Sequence, residues 1–306
     1  MRGWWQDLTD LVLPADCAGC GAPRTALCPR CRATLDGSVP RRARPEPEPA
    51  GLPVVHAVAP YAAEVRALLL AHKERGALAL AGTLGTALAG AVRAGLGAGG
   101  GVGVGPARDT RAGAGAGAGA GVAGWSWRGP VLLVPVPSAR WAVRARGHDP
   151  VRRMALAAAG ELRRTGTPAR VAAVLRQRRA VADQAGLDAR RRRENLAGAL
   201  EVTEAGGRLL GTGRVVLVDD LMTTGASLAE AARALREAAV SRRDHRTVVY
   251  RAITREGREE RRIGVRPEGK EWMHGASEKR APNAHGRMLQ AAVIAAPRDS
   301  FEIDRN

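Results

Sequence analysis

Val215-Val216-Leu217-Val218-Asp219-Asp220-Leu221-Met222-Thr223-Thr224-Gly225-Ala226-Ser227 is the stretch from which the fold can be read. Four branched apolar residues in a row predict a strand covered on both faces, the kind that parallel sheets contain. After the loop, Leu228, Ala231, Ala232 and Leu235 return at helical spacing, which predicts a helix from Ser227 to about Ala239. Thr223, Thr224 and Ser227 supply hydroxyl donors, and Gly225 permits unusual backbone angles and a close ligand approach. The N–H groups of residues 224–227 open a helix, and a helix N-terminus favours a phosphate. Asp219 and Asp220 share the sign of a phosphate and cannot serve it. Adjacent acids at a strand end suit the hydroxyl groups of a sugar. The plainer alternative is a strand–turn–helix in which Thr223 or Thr224 is only an N-cap.

Working outward, Val131-Leu132-Leu133-Val134 is a second buried strand, and Ala292-Val293-Ile294-Ala295-Ala296 suits a closing one. Val54 to Val58 and Ala169 to Leu175 read as further strands. Helices are expected over 62–72, 77–94 and 150–164. This alternation predicts an α/β domain with a mainly parallel sheet and flanking helices. In such sheets ligands sit at the carboxyl ends of the strands. Residues 241–290 are highly charged and aperiodic and read as an insertion or tail; the competing reading makes Thr247 to Ile253 the next strand. Residues 95–124, almost pure Gly and Ala, read as a flexible insertion that buries too little surface to offset its ordering entropy.

Cys17, Cys20, Cys28 and Cys31 are the only cysteines, all within the first 31 of 306 residues. Two Cys-x-x-Cys knuckles offer the four thiolates of a closed tetrahedral Zn²⁺ site, structural rather than catalytic. Metal binding would then fold a segment too small for its own core. Disulfides or a redox pair are the alternatives. The organisation expected is a zinc-ribbon-like module over 1–36, with Trp4, Trp5 and Leu8 on one face of a short helix. A Pro- and Arg-rich linker over 37–53 and the α/β domain over 54–240 follow, with the closing strand and C-terminus over 291–306.

The net charge is +18, from 48 Lys and Arg against 30 Asp and Glu. A basic surface attracts polyanions such as nucleic acid, nucleotides or phosphosugars, though a solvated basic face explains it as well. The N-terminal stretch carries acids where a signal peptide has an apolar run. Residues 77–92 are too short and too weakly apolar to span a bilayer, which takes ~20 residues. A soluble, cytoplasmic protein with no membrane span is expected.

The stretch 215–227 resembles the thirteen-residue signature of type I phosphoribosyltransferases. That resemblance implies that Asp219 and Asp220 bind the ribose hydroxyls of phosphoribosyl pyrophosphate. It implies that Thr223, Thr224, Gly225, Ala226 and Ser227 hold its 5′-phosphate. Val134-Pro135-Val136-Pro137 and Arg146-Gly147-His148-Asp149-Pro150 are similar to segments of the ComF (GntX-like) family, although 148–150 depart from its Phe-Asn-Gln. Lys73-Glu74-Arg75-Gly76 resembles another such segment, with Glu74 replacing an aromatic residue. Gln184-Ala185-Gly186-Leu187 with Arg191-Arg192-Arg193-Glu194-Asn195 resembles a third. A proline-bracketed loop followed by arginines suits a pyrophosphate, with a basic helix face as the plainer alternative, so Ser138, Ala139 and Arg140 are its candidate ligands, and the resemblance adds Lys73. Mg²⁺ would accompany the ligand. His148 is a candidate base. The family implies phosphoribosyl transfer and a part in DNA uptake (competence), with single-stranded DNA or uptake proteins as partners. The alternative is a non-catalytic adaptor that keeps the phosphoribosyl site as a sensor.

Overall fold

The structure, a computed structural model, describes residues 16–98, 129–179, 181, 189–253 and 289–301. Its strands are β1 (Arg41–Ala43), β2 (Val54–Pro60), β3 (Val131–Pro135), β4 (Ala169–Val171), β5 (Leu175–Gln177), β6 (Leu200–Val202), β7 (Arg214–Leu221) and β8 (Gln290–Ala296). Six of them form one sheet in the order β1-β2-β8-β7-β3-β4. Every neighbouring pair is parallel except β1 on β2. β5 and β6 make a separate antiparallel ribbon. The helices are α1 (Pro29–Asp36), α2 (Ala63–Glu74), α3 (Leu80–Ala98), α4 (Arg140–Arg146), α5 (Pro150–Arg164), α6 (Ala189–Leu196), α7 (Glu204–Leu209) and α8 (Ala226–Ile253). The chain is therefore α/β, with helices on both faces of a mostly parallel sheet.

The burial pattern explains the layers. Leu133, Val216, Val218 and Ile294 turn to one face, against Leu68 of α2, Leu84 and Leu88 of α3, and Met154 and Leu162 of α5. Leu132, Val134, Leu217 and Val293 turn to the other, against Leu228, Ala231, Ala232 and Leu235 of α8. Successive strand residues point to opposite faces, so a strand covered on both sides must be apolar throughout. Each fully buried Val or Leu contributes about 1.5–3 kcal/mol.

Several elements differ from the sequence reading. Residues 169–175 do not form one strand: Ala172 to Val174 turn the chain away, so β4 ends the main sheet and Leu175 begins the ribbon. The acids lie inside β7, not after it, because β7 pairs with β8 as far as Leu221. Helix α3 runs on to Ala98, so 95–98 are helical; 99–124 lie outside the described residues. Thr247–Ile253 is the end of α8 rather than a strand, and β8 closes the sheet between β2 and β7. Residues 254–288 and the expected helix near Trp4 and Trp5 lie outside the described residues. Arg41–Ala43, within the expected linker, is an edge strand of the sheet. Ala43 and Leu52 sink into the second core layer, and Arg236 donates to the Gly51 carbonyl.

Helices α3 and α5 pack closely because α3 is glycine-punctuated. A Cβ at Gly85 would stand 2.4 Å from the Ala157 Cβ, whereas one at Gly82 would meet nothing. Gly85→Ala should therefore cost about 1–3 kcal/mol through overpacking. Gly82→Ala should stabilise by up to about 1 kcal/mol through helix propensity. Urea unfolding of the two variants checks the contrast, and equal effects would contradict the close approach.

Candidate functional site

The connections from β3 and β7 leave in opposite directions. From β3 the chain passes through α4 and α5 to the edge strand β4. From β7 it passes through α8 back to β8. Between these adjacent strands the order reverses, which is where an open α/β sheet forms a crevice at its carboxyl edge. A cleft of about 530 Å³ lies there, lined by Val136, Pro137 and Ser138 after β3, and by Asp219, Asp220 and Thr223 of β7 and its loop.

Asp219 and Asp220 are both buried. The Asp220 N–H donates to the Asp219 carboxylate at 2.9 Å, and Lys73 Nζ, from the last turn of α2, reaches Asp220 Oδ2 at 2.9 Å. Burial and the neighbouring charge of Asp220 push the Asp219 carboxyl well above the usual range. Burial acts to raise Asp220, but the Lys73 ammonium, together with hydrogen bonds from Asp219 and the Leu221 N–H, holds it below its usual value. Asp220 in turn raises Lys73. The pair therefore divides into one carboxylate held ionised by a lysine and one carboxyl inclined to keep its proton.

The loop beyond is shaped by Gly225. Its φ is +73°, and a Cβ there would stand 2.9 Å from Leu52 of the 37–53 segment. Thr223 and Ser227 line the cleft. Thr224, Gly225 and Ala226 do not; they set the backbone course into α8, with Ala226 buried. Of the other candidates, Lys73, Ser138 and Ala139 line the cleft, while Arg140 opens α4, is exposed, and does not. Gln184 to Leu187 lie outside the described residues.

His148 is not placed as a base. Its ring nitrogens face the carbonyls of Arg146 at 3.1 Å and His72 at 3.3 Å, which makes it a strut between α2 and the turn before α5. Arg146 instead grips Glu74 with two bonds, of 2.9 and 2.7 Å, so the acid at this position anchors α4 to α2. Among the lining residues that were not candidate ligands are Trp141, 56% exposed, and Arg192 of α6. The Arg191–Arg193 run was the available signal. Its helical spacing could not say which arginine turned inward.

The second site is the cysteine cluster. All four sulfurs lie within 4.8 Å of one another. Cys20 Sγ to Cys28 Sγ is 3.5 Å, far beyond a disulfide bond of about 2.05 Å. Zn–S bonds of about 2.3 Å imply S–S edges of about 3.8 Å in a tetrahedron, so the donor set fits a metal ion such as zinc. The N–H of Cys28 donates to Cys17 Sγ at 3.3 Å, and that of Cys31 to Cys28 Sγ at 3.4 Å. Burial pushes the Cys31 thiol up. Burial also opposes ionisation of Cys17, but N–H groups of Cys28, Cys20 and Gly19 draw it down to about 6. Cys17, Cys28 and Cys31 join the core layer that contains Leu68 of α2, and Arg30 pairs with Glu64 at the start of that helix at 3.1 Å.

No protein-family model matches the chain, and no curated protein matches it. Among the described residues no helix is long and apolar enough to cross a membrane.

Lys73 offers a direct test of this electrostatic balance. Lys73→Met leaves Asp220 buried without its cation. Breaking a buried pair costs about 3–5 kcal/mol, reduced here to about 1–3 because Lys73 is one-third exposed. The sign follows from Asp220. Without Lys73 its folded-state pKa rises, so protonation relieves the cost and the deficit is large at pH 7.5 and smaller at pH 5. Urea unfolding at both pH values reads this, and a pH-independent deficit would count against the pairing.

Proposed function

We propose that the cleft binds a 5-phosphoribosyl ligand, phosphoribosyl pyrophosphate in its fullest form, and that the chain is a ComF-like, type I phosphoribosyltransferase-like protein. The observation that carries this reading is the Asp219–Asp220 pair. Two acids in succession stand at the carboxyl end of a central strand, at the reversal of strand order, and open directly onto a hydroxyl-bearing loop at the start of a long helix. Sugar hydroxyls donate to the acids, and the phosphate accepts from the Thr223 and Ser227 hydroxyls and the N–H groups entering α8. Ser138, Ala139 and Lys73 border the space left for the pyrophosphate.

As an enzyme the chain would transfer the ribosyl group to an acceptor nucleophile, whose bond to the anomeric carbon forms as the bond to the departing pyrophosphate breaks. Its own residues would mainly position the ring and neutralise charge. Two carboxylates do not make a cage for Mg²⁺, so that ion is read as arriving with the pyrophosphate, whose charge it screens. The four cysteines are read as a closed zinc site that ties the N-terminal segment to α2, with a structural role.

Two experiments test these readings. In calorimetry with Mg²⁺, the wild-type chain should bind phosphoribosyl pyrophosphate. An Asp219→Asn/Asp220→Asn variant should bind at least about 100-fold more weakly, since each charged hydrogen bond lost is worth about 1.5–3 kcal/mol. A folded wild type that binds nothing would overturn the ligand reading. Native mass spectrometry should find one zinc per chain and none in Cys31→Ser. Loss of the metal at several kcal/mol should lower Tm by roughly 10 °C. An unchanged Tm would remove its structural role.

A further inference from the structure

We propose that Arg192 is the anion clamp of the cleft and holds the ligand's 5′-phosphate against Thr223. The inference rests on the phosphoribosyl reading above.

Among the described residues three cationic side chains line the cleft, namely Lys73, Arg146 and Arg192. Lys73 is engaged by Asp220 at 2.9 Å, and Arg146 by Glu74 at 2.9 and 2.7 Å. Arg192 meets no carboxylate among the described residues. Its hydrogen bond is from Nη1 to the Thr223 hydroxyl at 3.2 Å. Its Nε is buried and has no partner among the described residues. A guanidinium carries five donors and a full charge, so this one is left both undersatisfied and uncompensated. The other arginines of α6 differ: Arg190 pairs with Glu194, and Arg191 and Arg193 are exposed and do not line the cleft.

The loop opposite has the complementary deficit. Residues 223–227 carry hydroxyls and N–H groups but no cation. A phosphate seated on them would meet the partial positive charge of the helix start but no full cation. Arg192 supplies that charge from the other wall. The existing bond also orients Thr223. Because its oxygen accepts from Arg192, its own proton is free to donate towards the cleft, and a chain of hydrogen bonds of this kind strengthens each member. A phosphate that takes the threonine proton and the guanidinium fork together satisfies both partners, in the two-pronged geometry that arginine offers and lysine does not. Contact with Thr223, rather than with the Ser138 segment or Lys73, places Arg192 on the 5′-phosphate and not on the pyrophosphate.

The test is calorimetry of wild type, Arg192→Gln and Arg192→Lys with two probes, ribose 5-phosphate and phosphoribosyl pyrophosphate, each with Mg²⁺. Thermal midpoints of all three proteins are measured alongside to verify folding. Arg192→Gln should weaken both probes by about tenfold or more and flatten their salt dependence, and Arg192→Lys should recover part of the loss. If Arg192→Gln binds ribose 5-phosphate as the wild type does, the proposal fails, and a loss confined to phosphoribosyl pyrophosphate would move Arg192 to the pyrophosphate. If the folded wild type binds neither probe, the phosphoribosyl reading fails first and this proposal with it.

Discussion

Two carboxyl groups in succession at the end of a strand covered on both faces must be compensated, and much of this molecule is arranged around that requirement. Asp219 and Asp220 follow Val218, which is fully buried in the centre of the sheet. Burial at this position opposes the ionisation of both acids. Lys73 answers one of them, and it can do so only because α2 ends beside β7. Burial and its neighbour's charge both incline the other towards keeping its proton. Asp220 is thus inclined to stay ionised and Asp219 inclined to hold its proton.

The position of α2 is in turn set by what lies on its other side. Leu68 shares a core layer with Cys17, Cys28 and Cys31, and a Cβ at Gly19 would touch both Cys31 Sγ and Leu68. Arg30 holds Glu64 at the start of the helix, and Arg146 holds Glu74 at its end. The cysteine segment is thus not a bead on a tether. It is one wall of the packing that carries Lys73 to Asp220. The segment between it and β2 behaves similarly: β1 extends the sheet edge, and Leu52 presses on Gly225, where no side chain larger than hydrogen fits.

On the far wall the charge balance is open rather than closed. Glu230 and Arg233 of α8 satisfy each other and the backbone of Leu200, which fixes the β5–β6 ribbon to the helix. That anchoring carries α6 to the cleft mouth, where Arg192 faces a hydroxyl instead of an acid. The two sides of the cleft therefore differ in kind. The α2 side is internally neutralised, and the α6 side keeps a positive charge for something that arrives.

The order of local structure was written in the sequence because it depends on neighbours along the chain. Four branched residues made β7 and β3 recognisable, helical spacing marked α5 and α8, and four clustered cysteines announced a thiolate set. The acids, Thr223 and Ser227 could be assigned to the cleft because the loop's chemistry is contained within thirteen residues. What depends on chain-distant contacts was not legible. Lys73 is 147 residues from Asp220, and only the docking of α2 makes them a pair. The edge strand within a Pro-rich stretch and the break between β4 and β5 both depend on which partner strand is available, as β pairing generally does. Arg192 stood in a family-like run of three arginines that the sequence could not tell apart, and Arg140 was the candidate ligand. Only the tertiary structure decided between them, because the direction in which a helix face turns is set by what that helix packs against and not by its own sequence.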